Sequence, residues 1–317
     1  MTTESAIDAH VLLVAAQKGG VQKTTVAGAL GGHISAMPGQ KVLLVDPDQQ
    51  GSLTISDLGV KGDGGRSLAT LMQYGVEDPQ DISVMPTGRP DLDILSGGVH
   101  LAAVPMAVTG AAMTAGYASG SDMLAANLAA GLQALVEREG YTMIILDAGP
   151  GDVVILDALL KVAHYLLIPT REDAGSIMGV QQLGNRFTAI QRQGYPIELL
   201  GVVMVQINPQ ATVRNAATAR QIDQLFGGGD SDEPTGAVFN TMIRFAAAAA
   251  KDIRDFHLLP HELLSHHNGV RVVGNDTAEG AVGRMWSRDV KKLVNDYDEL
   301  GNEVVARLAE AYEESEN

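Results

Sequence analysis

Residues 11–25 read VLLVAAQKGGVQKTT, and their character changes twice. Residues 11–16 (VLLVAA) are short, wholly apolar and rich in β-formers, as a strand buried on both faces must be. Residues 17–22 (QKGGVQ) are polar and glycine-rich. From Lys23 onward the chain turns small and helical, over residues 26–37. The strand type recurs at 41–45 (KVLLV), 141–146 (YTMIIL), 163–168 (AHYLLI) and 199–205 (LLGVVMV), with helix-compatible stretches at 124–138, 175–193 and 212–226. Continuous apolar strands separated by helices pair in parallel with helices covering both faces. The expectation is α/β: a doubly wound, mostly parallel sheet with right-handed connections.

Between such a strand and helix, a glycine-rich loop turns backbone N–H groups toward phosphate oxygens, and the helix adds its positive end. Gly19, Gly20, Val21 and Gln22 are the candidate cradle. Lys23 is placed to neutralise β- and γ-phosphates, Thr24 to ligate magnesium through its hydroxyl, and Thr25 to reach the α-phosphate. The ordinary pattern GxxxxGK[ST] fails twice, because Gln17 and Gln22 stand at both glycine positions. What remains is Lys-Gly-Gly-x-x-Lys-Thr, with a second lysine, Lys18, opening the loop.

This two-lysine loop resembles the deviant Walker A motif of the ParA/MinD ATPases, whose usual form is KGGVGKTT. Two acidic motifs extend the resemblance. Asp46-Pro47-Asp48-Gln49-Gln50-Gly51 is similar to the family's DxDPQGN, with the proline moved between the acids. By that match Asp48 positions the hydrolytic water and Asp46 supports magnesium. The strand at 141–146 runs into Asp147-Ala148-Gly149-Pro150-Gly151, which resembles the Walker B and switch II region. An acid ending such a strand holds magnesium through water. Gly149, Pro150 and Gly151 then form the switch that responds to the γ-phosphate. Asn208-Pro209 stands where the family places adenine contacts, although Asn-Pro is equally an ordinary turn. The resemblance covers residues 11 to about 254.

It implies ATP and Mg2+ as ligands and a dimer as the working form. Lys18 would reach across a nucleotide sandwich to the partner's phosphates, as an arginine finger does. Other branches fit less well. Iron-protein reductases need cysteines, MinD-like chains end in a basic amphipathic helix, and tyrosine kinases of this type end in a tyrosine cluster. This chain has no Cys and ends AYEESEN. Larger plasmid ParA proteins carry an N-terminal DNA-reading domain, for which the loop at Gln17 leaves no room. A small ParA-type partition ATPase remains, cycling on and off nonspecific DNA and stimulated by a ParB-like centromere-binding protein. Its expected DNA contacts are Arg214, Arg220, Arg244, Lys251 and Arg254. The alternatives are a weakly hydrolysing nucleotide-gated scaffold that positions a protein cargo or polymerises, and a P-loop metabolic enzyme such as a synthetase.

Composition limits these readings. The 317 residues hold 22 Lys+Arg against 38 Asp+Glu, a formal charge of −16, with a pI of about 4.8. That excludes a generally basic nucleic-acid coat, and any DNA contact must come from a confined face with steep salt dependence. The absence of Cys removes disulfides, iron–sulfur ligation, thiolate zinc sites and Cys nucleophiles, and fits a reducing cytoplasm. An apolar content of 45% is enough for a large core. No stretch reads as a signal peptide or a membrane span. We expect one domain over 1–317, with a polar extension at 1–10, a charge-poor insertion at 97–122 and a helical segment at 284–317. Between residues 95 and 136 the only formal charge is Asp122. That stretch reads either as a surface loop running into a core-facing helix or as a subunit contact. Residues 227–234 read as a loop, and 286–314 as a terminal helix.

Overall fold

The computed structural model describes residues 7–75, 78–149, 152–227, 235–267 and 290–316. Eight strands form one sheet: β1 His10–Val14, β2 Val42–Val45, β3 Met85–Arg89, β4 Leu92–Leu95, β5 Met143–Asp147, β6 Tyr165–Thr170, β7 Glu198–Ile207 and β8 Ile243–Arg244. Their order is β3-β4-β2-β5-β1-β6-β7-β8. All neighbours pair in parallel except β3 with β4. The expected doubly wound sheet is therefore present.

Alternation along β1 shows how the two layers are filled. Val11 and Leu13 join one core cluster, and Leu12 and Val14 the other. The first layer is closed by α2 (Arg66–Tyr74), α3 (Val104–Ala112), α4 (Gly120–Glu139), α5 (Val153–Val162), α6 (Ala174–Arg192) and α7 (Thr212–Gln224). The second is closed by α1 (Lys23–Ser35), α8 (Ala247–Phe256), α9 (Glu262–His267) and α10 (Val290–Glu316). On α10, Leu293, Val294, Tyr297, Leu300 and Val304 are buried at helical spacing. Among the described residues, no helix is long and apolar enough to cross a membrane.

Several elements lie outside the sequence expectations. β3 (MPTGR) and β4 (LDIL) are short and half polar: β3 is the edge strand, where a proline such as Pro86 is tolerated, and β4 lies between it and β2. The run VVILDALLKV is β-branched at its start, but Asp152 makes it a helix: its carboxylate accepts from the N–H groups of Val154 and Ile155. The charge-poor stretch is also no loop before its long helix. Residues 99–103 form a 3₁₀ turn that leads into α3. Leu101, Val104, Val108 and Ala112 enter the core at spacings of a helical stripe. Residues 1–6, 228–234 and 284–289 of the expected segments lie outside the described residues.

Candidate functional site

The C-terminal ends of β1, β2, β5 and β7 converge on one crevice. Open parallel sheets bind ligands there, at the point where strand order reverses about β1. A cleft of about 540 Å3 runs from Gly19, Gly20, Gln22, Lys23, Thr24 and Thr25 past Asp48 and Asp57 to Gln206, Phe245 and Arg254. That volume lies within the roughly 300–1,000 Å3 usual for small-molecule sites.

The phosphate loop leaves β1 and enters α1 through Gln22, whose φ of 58° and ψ of 26° are left-handed. Gly20 is left-handed as well, at φ 77°. Beside Gly19 and Gly20, a Cβ would meet no atom within 4 Å, so this stretch of backbone faces space that a ligand can fill. Val21 anchors the loop by packing into the core beneath it. The Gln22 side-chain oxygen is buried without a hydrogen-bond partner among the described residues. A residue other than glycine persists at this φ only where the surrounding structure enforces it.

Lys23 is buried, and its ammonium donates to the Lys18 carbonyl at 3.3 Å, curling the loop around it. Burial pushes its pKa down, against the opposing pull of Asp147 and Asp48. Asp147 pairs in register with Val14 at the base of the loop. Burial holds its carboxyl far above the usual range, the charge of Asp46 adds to this, and a hydrogen bond from the Thr24 hydroxyl opposes it. Its Oδ1 has no partner among the described residues. A buried carboxylate with one oxygen unsatisfied beside a threonine hydroxyl is an oxygen donor set that suits Mg2+. Asp46 is saturated differently: it accepts from Thr54 N at 2.9 Å, Thr54 Oγ1 at 2.8 Å and Asp48 N at 3.3 Å. Burial raises its pKa to about 6. Asp48 stands at the cleft wall, and Gly149 approaches it closely: a Cβ at Gly149 would lie 3.0 Å from the Asp48 Cβ. Pro150 and Gly151 lie outside the described residues.

Lys18 forms an ion pair with Asp173, at the N-terminus of α6. Thr25 donates to Asp57 at 3.2 Å. Asn208 and Pro209 close a turn: the Asn208 amide oxygen accepts from Gln210 N, and neither residue lines the cleft. Four expected DNA contacts are engaged within the chain. Arg214 pairs with Glu172 at 2.6 Å, and Arg244 with Asp296 of α10 at 2.5 Å. Lys251 pairs with Asp255, while Arg254 lines the cleft and acts on Asp57. Arg220 is exposed on α7.

Four site residues escaped the sequence reading. Asp57 sits in a π-helical turn, Ser52–Asp57, that no local pattern announces. Gln206 has a left-handed φ of 56° and donates from Nε2 to the Gly20 carbonyl at 3.1 Å, tying β7 to the loop. Phe245, 63% exposed, also lines the cleft. Asp173 had a visible signal, since Asp-x-x-Ser at 173–176 is a helix start, and it accepts from Ser176 N.

Comparison with known proteins agrees with this geometry. A family model described as an AAA domain matches residues 9–199, more than half of the chain. The chromosome partitioning protein ParA of Caulobacter vibrioides is 27% identical over 77% of this chain and 85% of its own. The structure of apo McdA from Cyanothece superposes with a TM-score of 0.65 at 21% identity, covering 90% of this chain and 99% of that one, a likeness of fold. The cobyrinic acid a,c-diamide synthase of Mycobacterium smegmatis, solved with bound ADP and magnesium, gives a TM-score of 0.59 at 25% identity, covering 83% and 97%. With its two-lysine loop between β1 and α1 and its acids ending β2 and β5, the chain belongs to the AAA-domain family and, within it, to the ParA-type partition or positioning ATPases.

Proposed function

We propose that this protein hydrolyses ATP and is switched by it between monomer and homodimer in the cytoplasm, cycling on a surface to segregate or position a cargo. One observation carries the reading: Lys23 and Thr24 line the cleft with Gly19 and Gly20, and both act on the buried Asp147, whose Oδ1 has no partner among the described residues. Phe245, exposed in the lining of the same cleft, offers a flat face to a planar base.

Thr24 and Asp147, with Asp46 behind them, would hold Mg2+, which when bound neutralises charge on the β- and γ-phosphate oxygens. Lys23 does the same from its own chain. Asp48 orients a water for in-line attack on the γ-phosphorus; the bond to the bridging oxygen breaks, giving ADP and inorganic phosphate. Lys18 supplies its charge to the partner's nucleotide, so the site is complete only in the dimer. A ParB-like partner accelerates the step, and release of phosphate frees the chains. Sedimentation with ATP, ADP and no nucleotide tests the switch. Doubling of mass with ATP alone supports it, and one mass in all three conditions overturns it. Turnover with and without random duplex DNA and the partner tests the enzyme.

A second reading concerns the surface being tracked. Because Arg214, Arg244 and Lys251 are each paired with a carboxylate, the basic face that DNA would need is largely neutralised. That favours a protein cargo over nonspecific DNA. Binding of random duplex DNA that needs ATP, steepens at low salt and weakens in Arg220→Glu would restore DNA.

A further inference from the structure

We propose that Arg254 is a second phosphate-binding cation of the cleft, carried by α8 to the α-phosphate of the nucleotide, and that Asp57 competes with that phosphate for it. The proposal rests on the nucleotide reading above, in which Thr25 reaches the α-phosphate. On α8, Ala247, Ala250 and Arg254 all line the cleft. Spacings of three and four residues set them on one helical face, while Ala249 and Ile253 are buried. The two alanines leave room for a ligand, and Arg254 stands in the helix's last turn. Just beyond it, His257 Nδ1 donates to the Ser56 carbonyl at 2.8 Å. A Cβ on Gly59 would lie 2.8 Å from the His257 Cβ, so this end of α8 is pressed against the segment that carries Asp57. Of the five basic residues expected to contact DNA, Arg254 is the one in this lining.

Asp57 links the phosphate side of the cleft to Arg254. It is 4% exposed and lines the same cleft. Its carboxylate accepts from Thr25 Oγ1 at 3.2 Å. Burial raises its carboxyl; the Thr25 bond opposes this, as do the charges of Arg254 and His257. A hydroxyl has one proton, so Thr25 cannot donate to Asp57 and to a phosphate together. A phosphate oxygen at Thr25 therefore meets a buried carboxylate, and the two repel strongly where water is excluded. A cation must offset that repulsion. The charged residues of the lining are Lys23 and Arg254 against Asp48 and Asp57. Lys23 serves the β- and γ-phosphates, which leaves Arg254. Its guanidinium offers a fork of donors matched to phosphate oxygens, on an exposed residue that is free to turn.

Such a pair governs how tightly nucleotide is held, not which form is held. The α-phosphate is common to ATP and ADP, so Arg254 strengthens both alike and Asp57 weakens both alike. Groups that act on the γ-phosphate favour ATP; Arg254 does not.

Calorimetric titration of the full chain with ADP and with a non-hydrolysable ATP analogue, both with Mg2+, tests the proposal. Arg254→Gln is expected to weaken both by the same factor, about tenfold, as for a lost charge-assisted hydrogen bond. Arg254→Lys keeps the charge without the fork and is expected to recover part of the loss. Asp57→Asn is expected to tighten both by about two- to fivefold, and the gain to shrink when it is combined with Arg254→Gln. α-Thio-ATP gives a readout that a merely structural role would not move. Its two diastereomers put sulfur at different α-phosphate oxygens; the parent is expected to prefer one, and Arg254→Gln to narrow that preference. The same preference in parent and variant would reduce Arg254 to a structural role. Unchanged affinity for both nucleotides in Arg254→Gln would overturn the proposal, and loss of duplex DNA binding in that variant would then assign the arginine to DNA. A loss confined to the ATP analogue would move it to the γ-phosphate and overturn the proposal as well. A parent that binds neither nucleotide would overturn the nucleotide reading itself, and the proposal with it.

Discussion

Lys18 and Asp173 are ion-paired within one chain, and each is more than a third exposed. The hydrogen bond from Lys18 holds the Asp173 carboxyl down at about 2. The lysine proposed to serve the partner's phosphates is thus held at home and must leave Asp173 to cross. A pair this exposed is worth roughly 0–1 kcal/mol, so the restraint on dimerisation is small. Asp173→Ser keeps the α6 cap and removes the charge. It is expected to tighten ATP-dependent dimerisation by about two- to fivefold, read by sedimentation velocity, whereas Lys18→Ala abolishes it. Unchanged dimer affinity in Asp173→Ser would mean that the pair places no restraint on Lys18.

Gln206 ties β7 to the phosphate loop through the Gly20 carbonyl. Replacing its donor with an acceptor sets two oxygens against each other at unchanged size. Gln206→Glu is therefore expected to weaken ATP binding by about five- to thirtyfold, for a lost or inverted hydrogen bond of 1–2 kcal/mol. Gln206→Gly relieves the left-handed backbone but also loses the tie. It is expected to bind nucleotide more weakly than the parent while unfolding no more easily. Calorimetric titration together with urea unfolding separates the two effects.

The same logic applies to Gln22, the residue standing where a glycine is usual. It keeps the left-handed geometry, so the loop is intact and the cost falls on stability. Gln22→Gly is expected to raise the stability of the nucleotide-free chain by about 0.5–1 kcal/mol. Gln22→Val, β-branched at the same φ, is expected to lower it by more. A Gln22→Gly variant that is less stable than the parent would mean that the buried carboxamide contributes more than its backbone costs.

The sheet and the phosphate loop were legible because their signals are local. Runs such as YTMIIL declare strands buried on both faces, and Lys-Gly-Gly-x-x-Lys-Thr declares its own geometry by its glycines and its place after β1. Asp46, Asp48 and Asp147 were legible for the same reason, each lying at a strand's end. The short strand β4 was not, since Leu92 and Ile94 face the core while Asp93 pairs with Tyr141, a contact 48 residues away. Gln206 and Asp57 escaped because their roles are made by tertiary contacts, with Gly20 and Thr25, that no spacing encodes. The basic residues likewise take partners that no local pattern announces. Arg244 reads as a surface contact, but its partner Asp296 lies on a helix 52 residues further on.

Asp147 is buried with Oδ1 unsatisfied, so in the free protein its charge is a burden that a cation would relieve. Asp147→Asn removes the charge and keeps the shape. The variant is expected to be more stable than the parent without ligands, by about 1–3 kcal/mol, and to lose the extra stabilisation that Mg2+ gives in the presence of ATP. Thermal unfolding with ATP plus chelator, and with ATP plus Mg2+, reads both effects. Equal Mg2+ stabilisation in parent and variant would remove Asp147 from the metal site.

Asp57 makes stability depend on pH in a direction opposite to that of most paired acids. Burial raises its carboxyl from the ordinary 3.8 to about 6, against the hydrogen bond from Thr25 and the charges of Arg254 and His257. Between those values the unfolded chain has released this proton while the folded chain keeps it. The folded state therefore binds more protons, and stability falls as pH rises from about 4 to about 6 and stays lower above that. Two pK units correspond to roughly 3 kcal/mol at most. Asp46, also raised to about 6 by burial, adds a fall over the same range. Asp57→Asn carries no ionisable group, so it is expected to match the parent near pH 4 and exceed it at pH 8. Arg254→Gln removes an opposing charge and is expected to deepen the parent's fall. Urea midpoints measured across this range decide the matter: a fall with pH that is as steep in Asp57→Asn as in the parent would assign the whole dependence to other groups.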